Sequence, residues 1–348
     1  MSTISWLVFG AGAIGAYTGG SLALAGQRVV FLERPEVAEH VRRQGLLLSL
    51  YGTQHSLSDP SVAASLEEAL AQGPFDAAIF ALKSYDTPAA LEIIAPHAAA
   101  LPPFLCLQNG VENEPALEAV LGAGKVIPGT VTSAVGRRTP GEYVLEKSRG
   151  LGLAAHHPLS PRLAQAINAA GINARLYPSA ASMKWSKMFS NLLTNASSAI
   201  LDMPPAEILA HPGLYRLEIA QLREALRVMR ALAIRVIDLP GAPVRALAWG
   251  ARLPAWLSRP LFQRVAGGSR GGKMPSFHID LHSGRGQSEV GYLNGAVVRF
   301  GQAAGVPTPV NRLLTETLLA LTHGELPCSQ FARQPELLLS RLPEESLP

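Results

Sequence analysis

The sequence predicts an α/β protein in two parts: a parallel-stranded α/β half, then a half made only of helices. Three observations carry this. The apolar run Ile4–Phe9 leads into Gly10, Gly12 and Gly15, then a helix-forming stretch and a second apolar run, all in one unit of about 30 residues. Short apolar runs recur up to about residue 155, several ending on polar or small residues. From about Ser179 the apolar spacing becomes three and four residues, the repeat of helices.

The 348 residues suffice for two domains with cores. At 48% apolar and 16% charged, the composition argues against global disorder. The net charge of +4 comes from scattered Lys and Arg, which offers no nucleic-acid face but suits an anionic small substrate or cofactor. Cys106 and Cys328 cannot form a disulfide framework, and neither has Cys/His spacing for zinc, so no metal is expected. The N-terminus enters a strand with no basic region before it and no cleavage site after it. No uninterrupted apolar run reaches about 18 residues, so a cytoplasmic protein without a membrane span is expected. There is no internal repeat.

Ile4–Phe9 reads as a strand buried on both faces. In the GxGxxG that follows, Gly10 permits a tight turn, Gly12 lets backbone approach a pyrophosphate, and Gly15 lets helix pack on strand. Residues 13–25 form the helix, whose N-terminus offers N–H groups to phosphates. This is a Rossmann-type fingerprint, and Gly10, Ala11, Gly12, Ala13, Ile14 and Gly15 are expected to line a dinucleotide. The second strand, Arg28–Leu32, ends on Glu33 and Arg34. An acid there binds the ribose 2′-OH of NAD, and an Arg accommodates the 2′-phosphate of NADP. Arg34 favours NADP, whereas Glu33 would repel the phosphate unless it points away.

Further strands are expected at 76–82 and 103–109, running into Lys83 and Asn109-Gly110. Ligands bind outside the carboxyl ends of strands in such sheets. Another strand is expected at 125–136, and Gly141–Glu146 and Gly150–Ala155 are expected to close the sheet. His156 and His157 read as surface loop residues.

In the helical half, Met183–Ile200 reads as one helix. Lys187, Asn191 and Asn195 recur every fourth residue, forming one polar stripe flanked by Met188, Phe189, Leu192 and Leu193. Lys184 reads as solvated. Helices follow at Leu214–Val236, Glu289–Ala304 and Asn311–His323. Residues 239–272, with Trp249, Trp256 and Phe262 among arginines, read as a helical insertion packed on the domain or on a dimer partner, with a lid or a membrane-surface element as alternatives. The last 20 or so residues are expected to be loosely held. The expected domains are 1–178, 179–330 and a tail 331–348, with a small-molecule cleft between the first two. Apolar content suggests a homodimer through the helical domain.

GAGAIG, Arg34, LKSYDT, LQNGVEN, WSKMFSNLLTN and PSFHIDLHSGRGQSEVGYLNG together resemble the ketopantoate reductases (2-dehydropantoate 2-reductases), over about residues 4–323. The resemblance implies a 6-phosphogluconate dehydrogenase-like architecture and NADPH-dependent reduction of a small α-keto acid, ketopantoate to pantoate, in pantothenate biosynthesis. By the same resemblance Lys187 is the general acid. Glu289 is its acid-base partner and holds the ammonium, substrate or cofactor. Asn191 and Asn195 bond the substrate's hydroxyl and carboxylate, and Ser276 binds the carboxylate. Lys83 and Asn109 contact the cofactor and line the cleft, and Val135 offers a backbone contact. Three departures touch substrate recognition: Pro205 replaces a substrate-contacting asparagine, the Ser276–Glu289 spacing is one residue longer, and the 239–272 segment is extended. Two further readings are a related two-domain dehydrogenase of a different hydroxy or amino acid, and a non-catalytic NADP-binding regulatory protein.

Overall fold

The computed structural model describes residues 3–269 and 273–342. The chain divides into two compact units, Met1–Lys184 with Leu239–Ala242, and Trp185–Asp238 with Pro243–Pro348. The division falls within one helix, Ala180–Leu192.

Among the described residues the first unit holds twelve strands: β1 Ser5–Phe9, β2 Arg28–Leu32, β3 Leu46–Leu50, β4 Thr53–Leu57, β5 Ser61–Ala63, β6 Ala77–Phe80, β7 Phe104–Cys106, β8 Val126–Val131, β9 Ala134–Thr139, β10 Glu142–Lys147, β11 Leu151–Ala154 and β12 Ala174–Tyr177. Eight form one sheet in the order β12-β11-β8-β7-β6-β1-β2-β5. All neighbours are parallel except β8 and β11. The apolar runs are continuous because both faces are covered. Trp6 and Val8 of β1 enter one core with Ala77 and Ile79 of β6, while Leu7 and Phe9 enter the other with Ala78 and Phe80. Phe9, Phe80 and Phe104 pack with ring centroids 5.0–6.0 Å apart on that second face.

Two expectations for this sheet are overturned. Residues 125–136 are not one strand: β8 ends at Val131, and β9 starts at Ala134 in a separate four-stranded sheet of order β4-β3-β10-β9. The break is held by hydroxyls. Thr132 Oγ1 donates to the carbonyls of Gly150 (3.0 Å) and Pro240 (2.7 Å), and Ser133 Oγ accepts the N–H groups of Arg149 and Gly150. The strand read at Gly141–Glu146 is β10, which pairs with β3 and β9 and does not close the large sheet. Only β11 and β12 extend that side.

The second unit is helical. Its elements are Asn195–Leu201, Pro205–Ala210, Pro212–Ala231, Val244–Arg252, Ala255–Ser269, Ser276–Leu281, a 3-10 turn Glu289–Tyr292, then Asn294–Ala303, Pro309–Thr322, a 3-10 turn Cys328–Gln330, and Pro335–Leu339. The expected helix Leu214–Val236 stops at Ala231; Ala233 turns left-handed at φ 55. Glu289–Ala304 splits into the 3-10 turn and the helix Asn294–Ala303. The tail is packed as far as it is described: Phe331 and Leu338 are fully buried, and Arg341 lies over the Phe331 ring. Residues 343–348 of that tail, and 270–272 of the 239–272 segment, lie outside the described residues. Among the described residues, no helix is long and apolar enough to cross a membrane.

The core of the second unit is partly polar. Asn294 Nδ2 donates to Gln221 Oε1 and Asn311 Oδ1, each at 3.0 Å. Glu224 accepts the N–H groups of Val310 and Asn311 and the Asn311 amide. These acceptances satisfy first-turn N–H groups of Pro309–Thr322 that no intrahelical carbonyl reaches. Burial pushes the Glu224 carboxyl above its usual range, and the Asn311 and Val310 bonds only partly offset it.

Candidate functional site

In the first unit the glycine turn has the shape its spacing implied. A Cβ on Gly15 would lie 1.7 Å from the Gly10 carbonyl oxygen, so only glycine lets the helix come that close. A Cβ on Gly12 would meet nothing within 4 Å, so the space in front of it is open. Gly12 is the N-cap of Ala13–Leu24, and no side chain caps this end. A twelve-residue helix thus presents first-turn N–H groups beside an open space, which fits a dinucleotide's pyrophosphate.

Glu33 does not point away. Its Oε1 accepts the Ala11 N–H at 2.5 Å and its Oε2 the Arg34 N–H at 3.2 Å. Tyr143 Oη of β10 donates to the Ala11 carbonyl at 2.5 Å. The Ala11 peptide is therefore held at both ends, and the smaller sheet supplies one of the two clamps. Arg34 is exposed at the N-cap of Pro35–Gln44.

Lys83 and Asn109 follow β6 and β7 and are both half-buried. Gln108, unnoticed in the sequence, ties these strand ends together. Its amide donates to the carbonyls of Leu82 (3.1 Å) and Lys83 (3.2 Å) and to Thr87 Oγ1 (2.9 Å). The Asn109 carbonyl accepts Ser84 Oγ and Asn113 Nδ2. Gln108 and Asn113 both stand in the LQNGVEN block, which was the available signal. Val135 lies half-buried on β9, in the smaller sheet.

Lys184 is not solvated. It is 5% exposed, and its Nζ donates to the carbonyls of Gln108 (2.6 Å) and Gly129 (3.2 Å) and lies 2.6 Å from Glu114 Oε1. The Glu114 contact is a close ion pair without hydrogen-bond alignment. Burial, the largest single effect, would lower the Lys184 pKa, but the Glu114 charge and contact together with Cys106 outweigh it and the pKa is raised. Burial, then Glu114, pushes the nearby Cys106 thiol up, which leaves it inert as a nucleophile.

In the second unit the polar stripe is broken. Lys187 and Asn191 share the helix Ala180–Leu192, are half-buried, and pair with Nζ to Oδ1 at 3.1 Å. The helix then stops. Thr194 is left-handed at φ 60, and Asn195 opens a new helix. The cause is Glu218, which is fully buried and accepts the Thr194 N–H at 2.7 Å and the Ser197 hydroxyl. Gln221 Nε2 donates to the Leu192 carbonyl at the end of the first helix. Asn195 therefore leaves the face of Lys187 and joins Ser276. Its Oδ1 accepts the Phe277 N–H at 3.1 Å, and its amide lies 3.4 Å from Ser276 Oγ. Glu289 is buried and opens the 3-10 turn after Ser288, whose hydroxyl accepts the Val290 N–H. Pro205 is buried at the start of its helix and has no polar side chain to offer.

Two other sequence features resolve plainly. His156 is exposed, and His157 is occupied locally, bonding the Gly124 carbonyl and the Leu159 N–H. The insertion is anchored by Phe262, which packs edge-on against Tyr215 with centroids 5.9 Å apart, while Trp249 and Trp256 are exposed. A cavity of about 430 Å³ beside it, lined by Tyr215, Arg216, Trp256 and Arg259 among others, shares no residue with the candidate site.

Comparison with known proteins bears on the family and the fold. Residues 6–156 match the family model "Ketopantoate reductase PanE/ApbA", and residues 180–322 match "Ketopantoate reductase PanE/ApbA C terminal". A 2-dehydropantoate 2-reductase of Pyrococcus abyssi is 25% identical over 312 residues, covering 88% of this chain and 94% of that protein. The crystal structure of a PanE/ApbA family ketopantoate reductase from Ralstonia eutropha superposes with a TM-score of 0.77 at 26% identity, covering 92% of this chain and 99% of that one. The ternary structure of D-mandelate dehydrogenase with NADH and anilino(oxo)acetate shares the fold, with a TM-score of 0.76 at 21% identity and coverage of 92% and 99%.

Proposed function

The chain belongs to the ketopantoate reductase PanE/ApbA family, and from that premise we propose that it is an NADPH-dependent oxidoreductase reducing a small α-keto acid, 2-dehydropantoate first, to its 2-hydroxy acid. In this reading it serves pantothenate biosynthesis. The observation that carries the proposal is the Lys187–Asn191 pair, a half-buried ammonium oriented by a carboxamide one helical turn away.

The bound reduced dinucleotide supplies hydride to the C2 carbonyl. Negative charge then grows on the carbonyl oxygen, and the Lys187 ammonium both stabilises that charge and delivers the proton. Asn191 Oδ1 accepts from the Lys187 ammonium at 3.1 Å and orients it. Asn195 and Ser276, already in contact, offer an amide and a hydroxyl to the substrate carboxylate. Glu289 serves as the acid-base partner carried over from the family. Gly12 and the helix behind it hold the pyrophosphate, with Lys83, Asn109 and Val135 as further cofactor contacts. Arg34 holds the 2′-phosphate.

Pro205 favours a second reading on substrate. Where relatives place an asparagine, this chain has no hydrogen-bonding side chain, so a keto acid with a less polar tail is the alternative.

The test is NADPH oxidation followed by absorbance, offering ketopantoate and a panel of other α-keto acids, with NADH in parallel. Lys187→Ala is expected to lower kcat by about 10²–10⁴. Turnover unchanged in Lys187→Ala refutes its role. NADPH binding without turnover of any keto acid refutes the enzyme.

A further inference from the structure

We propose that Asp202, His278 and His282 form a binding site for one divalent transition-metal ion of the zinc class, on the outside of the second unit. His278 lies on Ser276–Leu281 and His282 caps the C-terminal end of that helix, so the two imidazoles are four residues apart on one face. Their ring centroids are 4.2 Å apart. Asp202 caps the C-terminal end of Asn195–Leu201 in the left-handed region at φ 49. Its Oδ1 lies 2.8 Å from His278 Nε2. One ligand atom from each of the three residues falls within 4.8 Å of the other two.

That spacing fits a shared ion. Zinc holds imidazole nitrogen and carboxylate oxygen at about 2.0–2.2 Å, which places tetrahedral neighbours a little over 3 Å apart. Small side-chain rotations bring the three donors to that distance. Two imidazoles and a carboxylate are a borderline-soft donor set suited to zinc, cobalt or nickel rather than to calcium or magnesium. The outward position leaves the remaining coordination to water.

A simple ion pair accounts for less of the geometry. An Asp202–His278 pair needs only those two residues, whereas His282, one turn along the same helix, brings a third donor within reach of both. The left-handed backbone at Asp202 is costly for most residues and tolerated by Asp and Asn. It sets the carboxylate opposite the two rings.

The site has a structural consequence. An ion held by Asp202 on one side and His278 and His282 on the other would join Asn195–Leu201 to Ser276–Leu281. These helices carry Asn195 and Ser276, which already bond one another. Bound metal would stiffen that pair.

The test uses untagged full-length protein stripped with a chelator. Zn²⁺ is titrated calorimetrically, and Co²⁺ is followed by its visible absorption, which reports the coordination sphere. One ion per chain is expected. His282→Ala, whose ring is exposed, and Asp202→Asn, which retains the left-handed preference, should each weaken Zn²⁺ binding at least tenfold, by analogy with losses of about 10–100-fold from outer-shell changes. Neither should change the melting temperature of the metal-free protein by more than a few degrees, and Zn²⁺ should raise that temperature only in wild type. Binding unaffected by both substitutions, or no stoichiometric binding in wild type, overturns the proposal. The readout is independent of turnover, so it stands or falls apart from the reductase reading.

Discussion

Replacing Lys184 by Met tests whether a lysine on this helix is structural. Methionine keeps most of the apolar stem and removes the ammonium. Glu114, with its side chain 9% exposed, would then hold a buried charge with no cation, and the Gln108 and Gly129 carbonyls would lose a donor. Removing one partner of a buried ion pair costs about 3–5 kcal/mol, because the other charge stays uncompensated. For a unit of this size each kcal/mol lowers the melting temperature by about 2–4 °C, so the loss should be roughly 6–20 °C. The measurement is calorimetry with urea unfolding alongside, analysed as two transitions because two units need not unfold together. Adding Glu114→Gln should restore part of the loss, with a coupling of about 0.5–3 kcal/mol. The pH dependence has a definite sign. The folded-state pKa of Lys184 is raised, so its contribution is fully present below the unfolded value of about 10.4 and is lost as pH rises through the folded value. The gap between wild type and Lys184→Met should be flat from neutral pH to about 9 and narrow above about 10.4. A loss below about 1 kcal/mol, the size of an exposed pair, would refute the reasoning.

Three further outcomes are expected. Gly12→Ala should leave the melting temperature nearly unchanged, since its Cβ meets nothing, yet weaken NADPH binding; Gly15→Ala should damage the fold itself, since its Cβ would fall 1.7 Å from a backbone oxygen. Equal thermal effects of the two would contradict this. Arg34→Ala should weaken NADPH far more than NADH, and Glu33→Gln should shift preference toward NADPH by removing a carboxylate from the Ala11 amide, both read from fluorescence titrations. Unchanged NADPH affinity in Arg34→Ala would assign the chain to NAD. Glu218→Gln replaces an acceptor-only group that serves three donors, and should destabilise the second unit by about 1–3 kcal/mol in urea unfolding. A change under 0.5 kcal/mol, about the noise of a surface substitution, would deny Glu218 its part in breaking the helix at Thr194.

Residues whose reasons are local were legible in the sequence. β1, β2, β6 and β7 lie under continuous apolar runs because both faces of the sheet are packed, and Gly10 and Gly15 of the turn have steric tasks that their spacing announces. The hairpin β3–β4 was missed although a local signal existed. Tyr51-Gly52 separates two five-residue strands, and both residues have positive φ, 51° and 82°, the geometry of a two-residue hairpin turn. Tyrosine in the first position, where Asn or Asp is usual, hid it.

Three other misreadings share a different cause. Each turns on a buried charge whose partner is far along the chain: Lys184 with Glu114, the Thr194 break with Glu218, the start of Pro309–Thr322 with Glu224. Helical spacing states which face a residue occupies but not whether a carboxylate 70 residues away will meet it. Lys184 and Lys187, three apart, look alike in the sequence, and burial separates them. Lys184 has its ammonium consumed by two carbonyls and a carboxylate, so it can neither reach substrate nor exchange a proton readily. Lys187 is half-buried and pairs with the Asn191 carboxamide. A proton donor must remain accessible to what it protonates, so on this helix the more deeply buried lysine is the structural one.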